Sequence, residues 1–224
     1  DIVVRQGTLP FNVMSSKPRV VDFVPVICEW RPDGKQIAIG GNDGQVALYQ
    51  VATGHLQPVP ARLHHLALSL SYRPDSNELW VTSPGPGDFP VRITNLDTTP
   101  QVTPALPGLG AINAVQFTPD GRDLVTATQT SVRVLDAHNL EPVTDPIPAA
   151  GVYLTSVSVS PDGHTAVITD FGGWMRLVDL RAGRAIGPPI PIAATSFAVF
   201  GRDATTVYAP TPDGKAAVWN LAPD

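Results

Sequence analysis

Only one cysteine, Cys28, occurs in the 224 residues, so no disulfide can form within the chain. Such sparing use suits a reducing compartment, and a cytoplasmic location is the expectation. Charge is scarce as well: 16% of residues are charged, and the net charge is −5. Lys and Arg form no cluster, and nucleic-acid contact usually calls for a basic patch, so none is expected. No apolar run approaches the length of a membrane span, so no membrane partner is expected. Helical periodicity is missing from every segment of useful length, which makes helix nearly absent. A nucleophile elbow, a P-loop, a dinucleotide fingerprint and zinc spacing are all missing too. No catalytic residue, cofactor or metal is therefore expected. The sequence starts at Asp1 and not at Met, so it is expected to come from something larger.

Proline and glycine are plentiful, with 24 and 19 copies spread along the whole chain. That distribution favours many short strands joined by turns over one disordered tail. The turns repeat: Arg31-Pro32-Asp33-Gly34, Arg73-Pro74-Asp75-Ser76, Thr118-Pro119-Asp120-Gly121 and Ser160-Pro161-Asp162-Gly163, with a degenerate Gly201-Arg202-Asp203-Ala204. Successive turns lie 42, 45, 42 and 41 residues apart. Proline presets φ, aspartate bonds back to the backbone, and glycine permits the positive φ that follows.

A strand-like run precedes each turn: Val26–Trp30, Leu66–Tyr72, Ile112–Phe117, Leu154–Val159 and Ser196–Phe200. A second run follows it, then a third, then a proline-rich fourth such as Ala185–Pro191. Proline suits an outer position because an edge strand can spare backbone donors. The expected fold is all-β, built from five four-stranded antiparallel units. Their approximate bounds are 20–62, 63–108, 109–150, 151–192 and 193–224. The last unit stops after its third strand.

These units resemble WD40 repeats of the β-propeller family. Ile37-Ala38-Ile39-Gly40-Gly41-Asn42-Asp43-Gly44-Gln45-Val46-Ala47-Leu48-Tyr49 looks like the second and third strands of such a repeat. The segment from Tyr208 to Asn220 does too. The Trp-Asp signature is eroded to Tyr49-Gln50, Thr94-Asn95, Leu135-Asp136, Val178-Asp179 and Trp219-Asn220. Thr211, Asp213 and Trp219 match three members of the family's buried hydrogen-bond network, which gives them a structural role by resemblance. The resemblance covers residues 20–224 and implies a β-propeller. Residues 1–19 then supply either a closing strand for a five-bladed ring or the remnant of an earlier blade. In the second case the chain is part of a six- or seven-bladed ring. Phrases such as Gly183-Arg184-Ala185-Ile186-Gly187-Pro188-Pro189-Ile190 are similar to actinobacterial arrays. That resemblance implies the C-terminal part of a larger regulator, behind an ATPase, a kinase or a DNA-binding activator module.

Candidate chemistry is thin. His64 and His65 are adjacent, and adjacent strand residues point to opposite faces, so a loop role outweighs chelation. The turn aspartates belong to different blades and do not converge. The loops joining second to third strands open on the same face as those entering each first strand. Phe89, Tyr153, Phe171, Trp174, His64 and His65 fall on that face, and aromatics are over-represented at binding hot spots. The expected function is a non-catalytic protein- or peptide-binding platform, the sensor or scaffold of a bacterial regulator. The alternative is a propeller enzyme or small-ligand sensor with a site in the central channel, such as a lactonase-like hydrolase. An intramolecular lid on an upstream domain is a third reading.

Overall fold

The structure is a computed structural model describing residues 24–61, 63–74, 77–85, 90–105, 111–149, 153–194 and 197–221. The segment 1–19 and Phe89 lie outside the described residues, as does Asp75 of the second turn. Among those described there is no helix, and none is therefore long and apolar enough to cross a membrane.

Among the described residues, nineteen strands form five antiparallel sheets that follow the five repeats. The first holds β1 (Pro25–Trp30), β2 (Gln36–Gly41), β3 (Val46–Gln50) and β4 (His55–Val59). The second holds β5 (Ser69–Tyr72), β6 (Glu78–Thr82), β7 (Val91–Thr94) and β8 (Gln101–Pro104). The third holds β9 (Ile112–Phe117), β10 (Asp123–Thr128), β11 (Ser131–Asp136) and β12 (Ile147–Pro148). The fourth holds β13 (Leu154–Val159), β14 (Thr165–Asp170), β15 (Trp174–Asp179) and β16 (Arg184–Pro191). The fifth keeps three described strands, β17 (Val199–Phe200), β18 (Thr206–Pro210) and β19 (Ala216–Asn220). Strands pair in chain order within every sheet, so each is a simple meander, the unit of a propeller blade.

The recurring turns do what their residues require. Asp33, Asp120 and Asp162 each accept a backbone N–H two residues on, from Lys35, Arg122 and His164. Asp120 and Asp162 also accept the hydroxyls of Thr118 and Ser160, and these bonds hold both carboxyls below the usual range. Gly34, Gly121 and Gly163 take φ near +70° at the next position, where a side chain would be strained. Two expectations need correcting. The outer strand of the third blade shrinks to Ile147–Pro148 plus a bridge from Leu135 to Pro142, because Pro142, Pro146 and Pro148 cannot donate. In the second blade, the register pairs Leu79 with Ile93, as it pairs Val207 with Trp219 in the fifth. Ile93, and not Thr94, therefore stands at the Trp position of that blade.

Blade-to-blade packing repeats with the sequence. The residue directly before each turn is Trp30, Tyr72, Phe117, Val159 or Phe200, and in the second and third blades it faces the preceding blade. Tyr72 donates its hydroxyl to Gln36 at 3.0 Å, and Phe117 meets Trp80 edge-on at 6.2 Å between centroids. In the second, third and fourth blades the residue two before the turn faces the following blade and latches it. Ser71 accepts from the Phe117 N–H, Gln116 from Val159 and Ser158 from Phe200, at 2.8–3.2 Å. The two end blades leave half of this arrangement uncovered. On the first blade Trp30 is 55% exposed, and Cys28 beside it is exposed too. On the fifth, Val199, Tyr208 and Val218 are exposed, although the counterparts of Tyr208 in other blades, Ala38, Val125 and Val167, are fully buried.

Candidate functional site

Three of the aromatic side chains expected on the loop face gather at the junction of the third and fourth blades. Tyr153 stands just before β13, and Phe171 and Gly172-Gly173 form the tip between β14 and β15. Backbone bonds tie these loops together. The Phe171 N–H donates to the Tyr153 carbonyl at 2.9 Å, and the Tyr153 N–H donates to the Gln129 carbonyl at 3.1 Å. Gln129, at the tip between β10 and β11, also donates its side-chain amide to the Tyr153 hydroxyl at 3.0 Å. Tyr153 sits at φ +63°, a conformation that costs a non-glycine residue about 1 kcal/mol or more. Bonds on both sides of the residue hold that strain in place and aim the ring outward.

Trp174 opens β15, where its N–H donates to the Asp170 carboxylate at 3.0 Å. Gly173 permits the tight tip with φ +84°, and a Cβ there would come within 2.9 Å of the Ile192 carbonyl. Tyr153, Phe171 and Trp174 are 39%, 62% and 45% exposed, so none of them folds away into the core. Trp174 also lines a cavity of 260 Å³ on the fourth blade, together with Ala149, Leu154, Asp170, Met175, Arg176 and others. Arg176 is half-buried and makes no ion pair among the described residues. Its guanidinium gives the cavity a cationic donor set. Sequence reading missed Asp170, Arg176 and Gln129, whose importance comes from neighbours 24 or more residues away or from a tip geometry.

The other expected residues lie elsewhere. His64 and His65 are exposed at the bend before β5, at the junction of the first and second blades. That bend packs its carbonyls on Gly44, and both histidines make contacts of their own. Among the described residues no three His, Cys, Asp or Glu side chains gather as a metal site would require. Thr211 and Asp213 bond to each other and close the turn between β18 and β19, with Lys215 2.6 Å from Asp213. Trp219 packs separately against the apolar cluster of Val167, Met175 and Ile192. The three residues therefore serve two structural tasks and do not join in one network.

A second cavity, of 220 Å³, lies where the first strands of all five blades converge. Ile27 and Glu29, Ser69, Gln116, Thr155 and Ser158, and Phe197 and Val199 line it in turn. Burial pushes the Glu29 carboxyl up to about 7.

Meandering four-stranded sheets whose first strands share one channel define the β-propeller class. No family model matches the sequence, and no curated protein does. Among solved structures, the chain is similar to Kuenenia stuttgartiensis hydrazine synthase, with a TM-score of 0.70 at 19% identity. The match covers 88% of this chain and 58% of that one. Likeness at that identity establishes the fold, and the chain spans little more than half of its neighbour.

Proposed function

We propose that the chain is a non-catalytic, WD40-type propeller module that docks a protein or peptide on the loop face of Tyr153, Phe171 and Trp174. The observation carrying this reading is the presentation of three exposed aromatics by bonded loops near a cavity whose Arg176 guanidinium makes no ion pair among the described residues. Exposed aromatic surface costs solubility, and clustered aromatics next to a charged donor match the composition of binding hot spots. Arg176 suits a carboxylate, so the partner's docking segment carries an apolar or aromatic residue next to Asp or Glu. A module of this kind fits the sensor or scaffold of a larger bacterial regulatory protein. Its partner is then a separate protein or an ATPase, kinase or DNA-binding domain of the same polypeptide.

The test is calorimetric titration of the purified partner, or of its docking peptide, into the wild-type module and a Phe171→Ala/Trp174→Ala variant. A loss of at least about tenfold in affinity is expected, since hot-spot truncations cost about 2 kcal/mol or more. Thermal melting should stay within a few degrees of wild type, because both side chains are exposed. Unchanged affinity would remove the loop face from the account.

A further inference from the structure

We propose that the channel cavity binds an alkylammonium group, with the Glu29 carboxylate as its counter-ion. Glu29 stands two residues before its turn, the position filled by Ser71, Gln116 and Ser158 in the next three blades. Each of those neutral side chains accepts a backbone N–H from the following blade. Glu29 pairs with Ala38 across β1 and β2 and so faces the second blade as they do. Its carboxylate nevertheless makes no hydrogen bond and no ion pair among the described residues. A latch needs only a neutral acceptor, and a carboxylate in that place pays desolvation without taking up the latch.

The surroundings define what the carboxylate can take. Glu29 is the one charged residue among those described around the cavity, so an anion is disfavoured and a monocation matches. The hydroxyl groups are already committed. Ser69 bonds Val115, Ser158 accepts from Phe200, and Thr155 and Ser156 bond Thr169. Gln116 is held by the Val159 N–H. A divalent metal needs several oxygen ligands and finds one carboxylate here. The remaining wall is apolar, from Ile27, Leu70, Val157, Phe197 and Val199, and Phe197 is 54% exposed. A cation on an apolar stem satisfies both parts, and an aromatic face adds attraction for an ammonium. At 220 Å³ the space is smaller than the roughly 300–1,000 Å³ of drug-sized pockets, so it admits a lysine side chain or a small amine.

The site is separate from the loop-face aromatics, so either can fail without the other. The experiment is NMR titration of the whole chain with n-butylammonium chloride and with N-acetyl-lysine methylamide. n-Butanol and N-acetyl-norleucine methylamide serve as neutral controls. Saturable shifts at Ile27, Ser69 and Phe197 are expected for the ammonium compounds, weakened about tenfold or more in Glu29→Gln and largely retained in Glu29→Asp. Stronger binding of the lysine derivative identifies a peptide-borne side chain, and stronger binding of butylammonium a free amine. Both results support the site. Binding of neither compound, equal binding of the neutral controls, or undiminished binding by a folded Glu29→Gln variant would overturn it. Circular dichroism establishes that the variant is folded.

Discussion

Replacing Glu29 by Gln should stabilise the fold at neutral and alkaline pH and leave it unchanged near pH 4. The carboxyl ordinarily ionises near 4.5, and burial beside the second blade raises this to about 7. A raised carboxyl means that the folded state holds its proton more tightly than the unfolded state does. Stability from this group is therefore complete below about pH 4.5 and lost as the pH rises through about 7. At about 1.4 kcal/mol per unit, a shift from 4.5 to about 7 corresponds to a loss of about 3 kcal/mol. Glu29 retains some exposure, so the observed loss should be nearer 2 kcal/mol. Gln has the same shape and no charge, so its curve should stay flat across that window. Asp120, Asp162 and Asp203, held low by their hydrogen bonds, titrate below the window, and every other titratable group is common to both proteins. Urea denaturation of both proteins at pH 5, 6, 7 and 8 measures the difference. A gap that widens with pH is expected. Parallel curves would refute the burial of an ionisable Glu29 against the channel.

Further outcomes follow from the packing and the turns. Phe117→Ala should cost about 3–5 kcal/mol, because the ring is buried against Trp80, whereas Trp30→Ala at the equivalent but exposed position should cost under about 1 kcal/mol. Chemical denaturation separates the two, and equal losses would mean that Trp30 is covered. Gly173→Ala should destabilise by about 1–3 kcal/mol and loosen the Phe171 tip, since the new Cβ meets the Ile192 carbonyl. Melting temperature and hydrogen exchange at Phe171 would register both effects. Asp162→Ala should remove the acceptor for Ser160 and His164 and lower stability by about 1 kcal/mol at pH 7. The difference should fade as the pH falls below the depressed range of that carboxyl, which denaturation at pH 2–7 would follow.

The blades were legible because turn chemistry is local. Pro-Asp-Gly at a spacing near 42 fixes where strands end, and Ile112–Phe117, Leu154–Val159 and Ala216–Asn220 match the strands seen. The outer strand of the third blade was less legible, because three prolines permit several edge pairings and only burial selects one. The Thr94 misplacement has a similar cause: alternation along β7 fits two registers, and the partner strand chooses Ile93. On the loop face, Tyr153, Phe171 and Trp174 stood out as aromatics in turns. Asp170 and Arg176 did not, since a carboxylate bonded four residues on and a guanidinium lining a cavity look ordinary in one dimension. Glu29 could have been found by aligning the repeats, where it replaces Ser71, Gln116 and Ser158. Its isolation, however, is a fact of three-dimensional packing.

Site-specific photo-crosslinking most directly tests whether the loop face is where this module meets its partner. A photoreactive phenylalanine at position 171 would be compared with one at position 182, at the turn on the opposite end of the fourth blade. The partner is expected to be captured from position 171 and not from position 182. Capture from position 182 alone, or equally from both, would contradict it.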